Sequence, residues 1–125
     1  MDCRRCGTPL ERPGDYCLVC NTANCDTVVI EFERDRADVT MLDEETVIAT
    51  TTVTTVPEDN PETHVVELRN FAGKVADEIR RKRPETVFAT GNRDVLRETR
   101  AQVHYEFYRV AGEHPVERVL DKRGE

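Results

Sequence analysis

The chain has 125 residues, 38% hydrophobic and 34% charged, with a formal net charge of −7. That is material for one compact domain with a small appendage. No apolar run approaches the ~20 residues of a membrane span, and the acidic balance argues against indiscriminate polyanion binding. MDCRRCGTPL carries no apolar stretch of signal-peptide length, so the expected compartment is the cytoplasm, where five cysteines read as metal ligands before disulfides.

Taken in chain order, residues 1–25 stand apart. They hold all five cysteines with Gly7, Pro9, Pro13 and Gly14, and almost no aliphatic material, so a bound metal has to stabilise them. From Asp26 the pattern turns strand-like. Val28, Ile30 and Phe32 alternate with Val29, Glu31 and Glu33. A polar turn over Arg34–Asp38 leads to the short run Val39–Leu42. Thr46–Val56 is almost wholly Thr, Val and Ile. After the loop Pro57–Pro61, the segment His64–Arg69 reads as a fourth strand, closing an antiparallel meander. The rhythm then changes. Phe71, Ala72, Val75, Ala76 and Ile79 share one helical face, with Asn70 as cap and Pro84 as stop. Thr86–Thr90 reads as a short strand and 93–102 as a second helix with Val95, Leu96 and Thr99 inward. Val103, Tyr105 and Phe107 alternate in a last strand, 111–115 reads as a loop and 116–122 as a helical turn. The expected class is α+β: a metal-bound segment over 1–25, then a mixed-sheet domain over 26–125, an antiparallel meander followed by β-α-β-α-β.

Cys3-Arg4-Arg5-Cys6 and Cys17-Leu18-Val19-Cys20 are two CxxC pairs ten residues apart. Each can fold as a tight knuckle aiming two thiolates at one cation, and together they complete a tetrahedral sulfur site. Gly7 suits the turn after the first knuckle, and Asn21 tolerates the same left-handed geometry after the second. A rubredoxin-type iron site uses the same four sulfurs and stays a second occupant. A thioredoxin-like pair expects a strand-to-helix junction, which the N-terminal Cys3 lacks. Cys25 is left over and reads as a buried, inert thiol.

At these residues the chain resembles a zinc ribbon, the metal hairpin of many archaeal transcription, translation and ribosome-associated proteins. With its second half it is similar to an archaeal family, of haloarchaeal type, described only as predicted metal-binding proteins. The resemblance implies one structural Zn2+ on Cys3, Cys6, Cys17 and Cys20. It departs from the commonest ribbon in having no Pro or Gly inside either knuckle. An acidic chain with only three lysines (Lys74, Lys82, Lys122) agrees with a high-salt cytoplasm.

Charge is divided unevenly along the chain. Residues 1–68 carry 5 basic and 15 acidic groups, net −10, and residues 69–125 carry 13 and 10, net +3. Arg93, Arg97 and Arg100 fall at helical spacing, with His104 one step further if the helix extends so far. Arg80, Arg81, Lys82 and Arg83 end the preceding helix, and Arg109 follows with Tyr105 and Tyr108 nearby. Arginine forks suit phosphate and stack on bases; cations in a last helical turn also serve the macrodipole. If 64–69 and 86–90 are parallel strands, Arg69 and Gly91 converge at a sheet edge where phosphate can bind. No Ser/His/Asp or Cys/His arrangement is readable, so an enzyme is the less expected class. The expected function is a non-enzymatic zinc-ribbon protein binding RNA or a ribonucleoprotein, ribosome-associated surface. Its contacts would be Arg69, Lys74, Arg80, Arg81, Lys82, Arg83, Arg93, Arg97 and Arg100. A protein-interaction adaptor and a phosphate- or nucleotide-handling enzyme are the alternatives.

Overall fold

Three strands open the domain. In β1 (Thr27–Phe32) the run Val28-Val29-Ile30 is buried on both faces, which marks a strand at the middle of a sheet. It pairs antiparallel with β2 (Arg36–Asp43), which pairs antiparallel with β3 (Thr46–Thr54). The turn into β2 is shorter than the expected 34–38 loop, because Ala37 is already a core residue opposite Phe32. The computed structural model describes residues 2–12, 14–44, 46–110, 116, 117 and 119.

The expected fourth strand, His64–Arg69, is helical. It forms the N-terminal third of α1 (Pro61–Lys82), which runs unbroken for 22 residues. The start signals lie ten residues before the expected cap at Asn70. Asn60 accepts from the Glu62 backbone N–H at 2.9 Å, Pro61 occupies the first turn, and Glu62 sits at the positive end of the dipole. Val65 and Val66, whose β-branching favours a strand, face solvent and so bury nothing that a sheet would reward. Leu68 instead continues the helical stripe of Phe71, Val75 and Ile79. The helix stops at Arg83, in left-handed geometry, whose N–H bonds back to the Ile79 carbonyl at 3.0 Å.

The chain then returns as β4 (Thr86–Gly91), parallel to β1, passes through α2 (Arg93–Ala101), and ends in β5 (Phe107–Arg109), parallel to β4. The sheet order is β3-β2-β1-β4-β5. Among the described residues it is a mixed five-stranded sheet with the two helices α1 and α2, an α+β arrangement whose meander has three strands rather than four. One sheet face carries the main core: Val28, Ile30, Phe32, Val39, Met41 and Val87 against Phe71, Val75 and Ile79 of α1 and Val95 of α2. On the other face Val29, Leu42 and Phe88 pack with Val110, Val116 and Val119. The expected loop at 111–115, His114 and most of the turn at 116–122 lie outside the described residues.

Candidate metal centre and arginine groove

The N-terminal cysteines sit on two short hairpins of matching design. In the first, the Cys3 N–H donates to Thr8 O at 2.8 Å and the Gly7 N–H to Cys3 O at 3.0 Å. In the second, Cys17 and Thr22 exchange bonds of 2.9 and 3.3 Å. Gly7 (φ 75°) and Asn21 (φ 54°) take the left-handed turn after each knuckle. The four Sγ atoms all lie within 4.8 Å of one another. Cys3–Cys20 and Cys6–Cys17 are each 3.6 Å apart. Sulfurs on a tetrahedral ion with bonds of about 2.3 Å stand about 3.8 Å apart, so the cluster fits one ion.

The sulfurs are unevenly poised. Backbone N–H groups of Cys6 and Arg5 lower the Cys3 thiol to about 6, and the Thr8 hydroxyl, 3.0 Å away, lowers Cys6. The Thr22 hydroxyl, 3.2 Å from Cys20, pulls that thiol down as well. Burial and the three neighbouring sulfurs outweigh it and raise Cys20 to about 11. Four thiolates this close repel one another, and a cation at their centre removes the penalty. Cys25 is fully buried with Val28 and Ile30, and desolvation lifts its thiol to about 12. It packs as an apolar side chain and belongs to the core.

The cations ending α1 are engaged within the molecule. Lys82 is fully buried, with Nζ 3.1 Å from Asp15 and 2.8 Å from Glu78. Arg81 pairs with Asp15 and Glu11, each at 2.9 Å, and Arg12 pairs with Glu78. The Tyr16 N–H donates to the Arg81 carbonyl at 2.8 Å. Arg83 lies 4.4 Å above the Tyr16 ring. Burial opposes ionisation of Asp15, but bonds from Arg81 and Lys82 prevail and hold its carboxyl below the usual range. This basic run, expected to face a polyanion, therefore clamps the cysteine segment to the domain. Arg80 is likewise engaged, pairing with Asp77 and donating to the Gln102 carbonyl at 2.8 Å.

Arg69 lies inside α1, 3.9 Å from Glu98, so it does not share a strand end with Gly91. Gly91 (φ 104°) closes β4 against β1: a Cβ there would collide with the Phe32 carbonyl, which accepts from the Asn92 N–H at 2.8 Å. Arg69 and Gly91 therefore do not form the expected edge between two parallel strands. Lys74 is exposed beside a shallow cleft formed with Thr51–Thr54 of β3.

Arg93, Arg97 and Arg100 come together. All three are exposed along one face of α2 and line an open groove of about 940 Å³ with Leu96, Phe107, Tyr108 and Arg109. Asn92 caps the helix, accepting from the Asp94 and Val95 N–H groups at 3.0 and 3.2 Å. Val95 and Thr99 face the core, which leaves the arginines outward. None of the four arginines forms an ion pair among the described residues. His104 falls outside this face because α2 ends at Ala101, and Tyr105 packs against the core.

The sequence reading did not single out the two hydroxyls beside the metal cluster, or Asp15 as the partner of Lys82. Thr8 and Thr22 carried a signal: each stands two residues after the second cysteine of its pair. Asp15 carried none, being 67 residues from Lys82. Arg34 was another such residue. In the turn between β1 and β2 it pairs with Glu67, which also accepts from the Thr55 hydroxyl at 2.7 Å, and so fastens α1 to the sheet. No helix among the described residues is long and apolar enough to cross a membrane. Neither the family models nor the curated proteins give a match to this chain.

Proposed function

We propose that the chain is a zinc-ribbon protein that binds RNA or a ribonucleoprotein surface, with Zn2+ held by Cys3, Cys6, Cys17 and Cys20. All four donors are sulfur, so the ion would be closed to water and its role structural. The observation that carries the RNA reading is the groove. Four arginines line it and form no ion pair among the described residues, in a chain of net −7. Uncompensated like charges destabilise a fold slightly, and a polyanion is the ligand that relieves them. The acidic excess of residues 1–68, net −10, repels nucleic acid from the wrong faces. In a high-salt cytoplasm of the kind the composition fits, screening falls to about 3 Å, and only close arginine–phosphate forks persist.

Purified protein is expected to carry nucleic acid, read as an A260/A280 ratio above that of protein alone. Arg97→Glu with Arg100→Glu is expected to remove it, together with co-sedimentation with ribosomes. A double variant that keeps both sinks the proposal. A second reading, as a protein-interaction adaptor, rests on Leu18 and Val19, apolar tips of the second knuckle that are 73% and 71% exposed. A nuclease-resistant pull-down lost in Leu18→Ser with Val19→Ser would favour it.

A further inference from the structure

We infer that two copies of this chain pair through the outer edge of β3, with Thr50–Thr54 of one running antiparallel to the same residues of the other. The sheet order leaves β3 and β5 as its two edges. β5 is three residues long and ends in Arg109, the short, charged form that keeps an edge from pairing. β3 is nine residues long and, with Thr55 and Val56 after it, holds no charge, proline or glycine in a chain that is 34% charged. Its one irregularity is an extra residue, Ile48, between Val47 opposite Leu42 and Ala49 opposite Met41. From Ala49 to Thr54 the ladder is regular.

Backbone direction alternates along an antiparallel ladder, so one bond fixes it for the whole stretch. The Thr55 N–H donates to the Asp35 carbonyl at 3.0 Å, in step with Val53 opposite Ala37 and Thr51 opposite Val39. Thr51, Val53 and Thr55 therefore face β2. Thr50, Thr52 and Thr54 turn their N–H and C=O groups outward, where no described segment pairs with them. The Thr52 hydroxyl donates to Asp38 at 2.8 Å and that of Thr50 bonds to the Thr40 hydroxyl at 3.1 Å, which draws both side chains back from the edge.

Charge favours a second copy as the occupant. Two chains of net −7 repel over most of their surface, whereas this strand sets no carboxylate against its twin. With Thr52 on the two-fold axis, Thr50 meets Thr54 and Thr52 meets its own counterpart. The seam then exchanges about six N–H···O=C bonds and sets threonine beside threonine. The cleft alongside, between Thr51–Thr54 and α1, carries Arg12, Lys74 and Arg81 with Asp77 and Glu78, so neither sign dominates it. The outer edges of the joined sheet are the two copies of β5, and both arginine grooves stay open. A seam of about five residues is small, which places the pair among weak, concentration-dependent dimers.

The test is analytical ultracentrifugation of the zinc-loaded full chain, freed of nucleic acid, over a concentration series reaching about 1 mM. The wild type is expected to rise from 14.3 kDa to twice that mass. Thr52→Pro removes an outward N–H and no bond to β2, and is expected to hold the mass at one chain with the melting temperature kept. Thr52→Glu places two carboxylates together on the axis and is expected to weaken pairing at least about tenfold, and an equimolar mixture with Thr52→Lys to restore it. A wild type that stays at one chain throughout overturns the inference and leaves the edge to an extended segment of another protein. A dimer indifferent to Thr52→Pro and to the Glu and Lys variants lies elsewhere on the surface and overturns it as well.

Discussion

Two arginine clusters of similar composition do different physical work in this molecule. At the end of α1, Arg81 and Lys82 face Asp15, Glu11 and Glu78, and their charges are matched inside a largely buried junction. Along α2, Arg93, Arg97 and Arg100 stand on a helix whose inward face is Val95 and Thr99, with no carboxylate within ion-pair reach among the described residues. What separates them is their surroundings, since the sequence shows an equally basic helix end and helix face. A cation is available to a partner only where the fold has not already supplied one.

The comparison can be broken most severely at the metal. Chelation, or Cys3→Ser with Cys17→Ser, is expected to collapse the fold of the cysteine segment, since a structural Zn2+ of the kind proposed contributes about 10–16 kcal/mol of apparent binding energy. NMR should show those amides lost while the β1–β4 amides persist. Next comes the clamp. Asp15→Ala removes one of the two carboxylates on buried Lys82 and is expected to cost about 3–5 kcal/mol, read by chemical denaturation. Lys82→Met, which leaves Asp15 to Arg81 and Glu78 to Arg12, should cost less than Asp15→Ala.

Acid sharpens the same point. Asp15 and Glu67 both titrate below their ordinary values of 3.8 and 4.5 in the fold. Their stabilisation is complete above those values and is lost as pH falls through the lowered ones, so stability should drop below about pH 4. Asp15→Asn should flatten part of that drop in a pH series of denaturation midpoints. A smaller effect tests the groove. With about three to four phosphate contacts, log affinity against log salt should slope by about −2 to −3, and Arg100→Ala should reduce the slope by about 0.7. Smallest is Asn60→Ala, expected to cost about 1 kcal/mol through the lost cap of α1.

Much of the fold was legible because local pattern and burial agree over β4 and α2, where Val95 with Thr99 marks the inward side of the helix. In β1 the apolar run marks the strand, although Val29 is buried as deeply as Val28 and Ile30. His64–Arg69 misled because two adjacent valines favour a strand locally, while the cap that decides the issue lies upstream at Asn60-Pro61. The cysteine quartet was legible as spacing alone, and its threonines as a repeated offset. The clamp was not, because no spacing rule links Asp15 to a lysine 67 residues away. Nor could spacing separate an engaged arginine from a free one: that depends on which carboxylates the fold brings near.

The most direct measurement sets the two clusters against each other. RNA affinity and thermal unfolding would be followed together in Arg97→Glu with Arg100→Glu and, separately, in Arg81→Glu. The groove variant should lose about a hundredfold in affinity with its melting temperature nearly unchanged, while Arg81→Glu should lower melting by about 5 °C or more and keep its affinity. The opposite pattern, or affinity falling alike in both, would contradict the division of labour between these clusters.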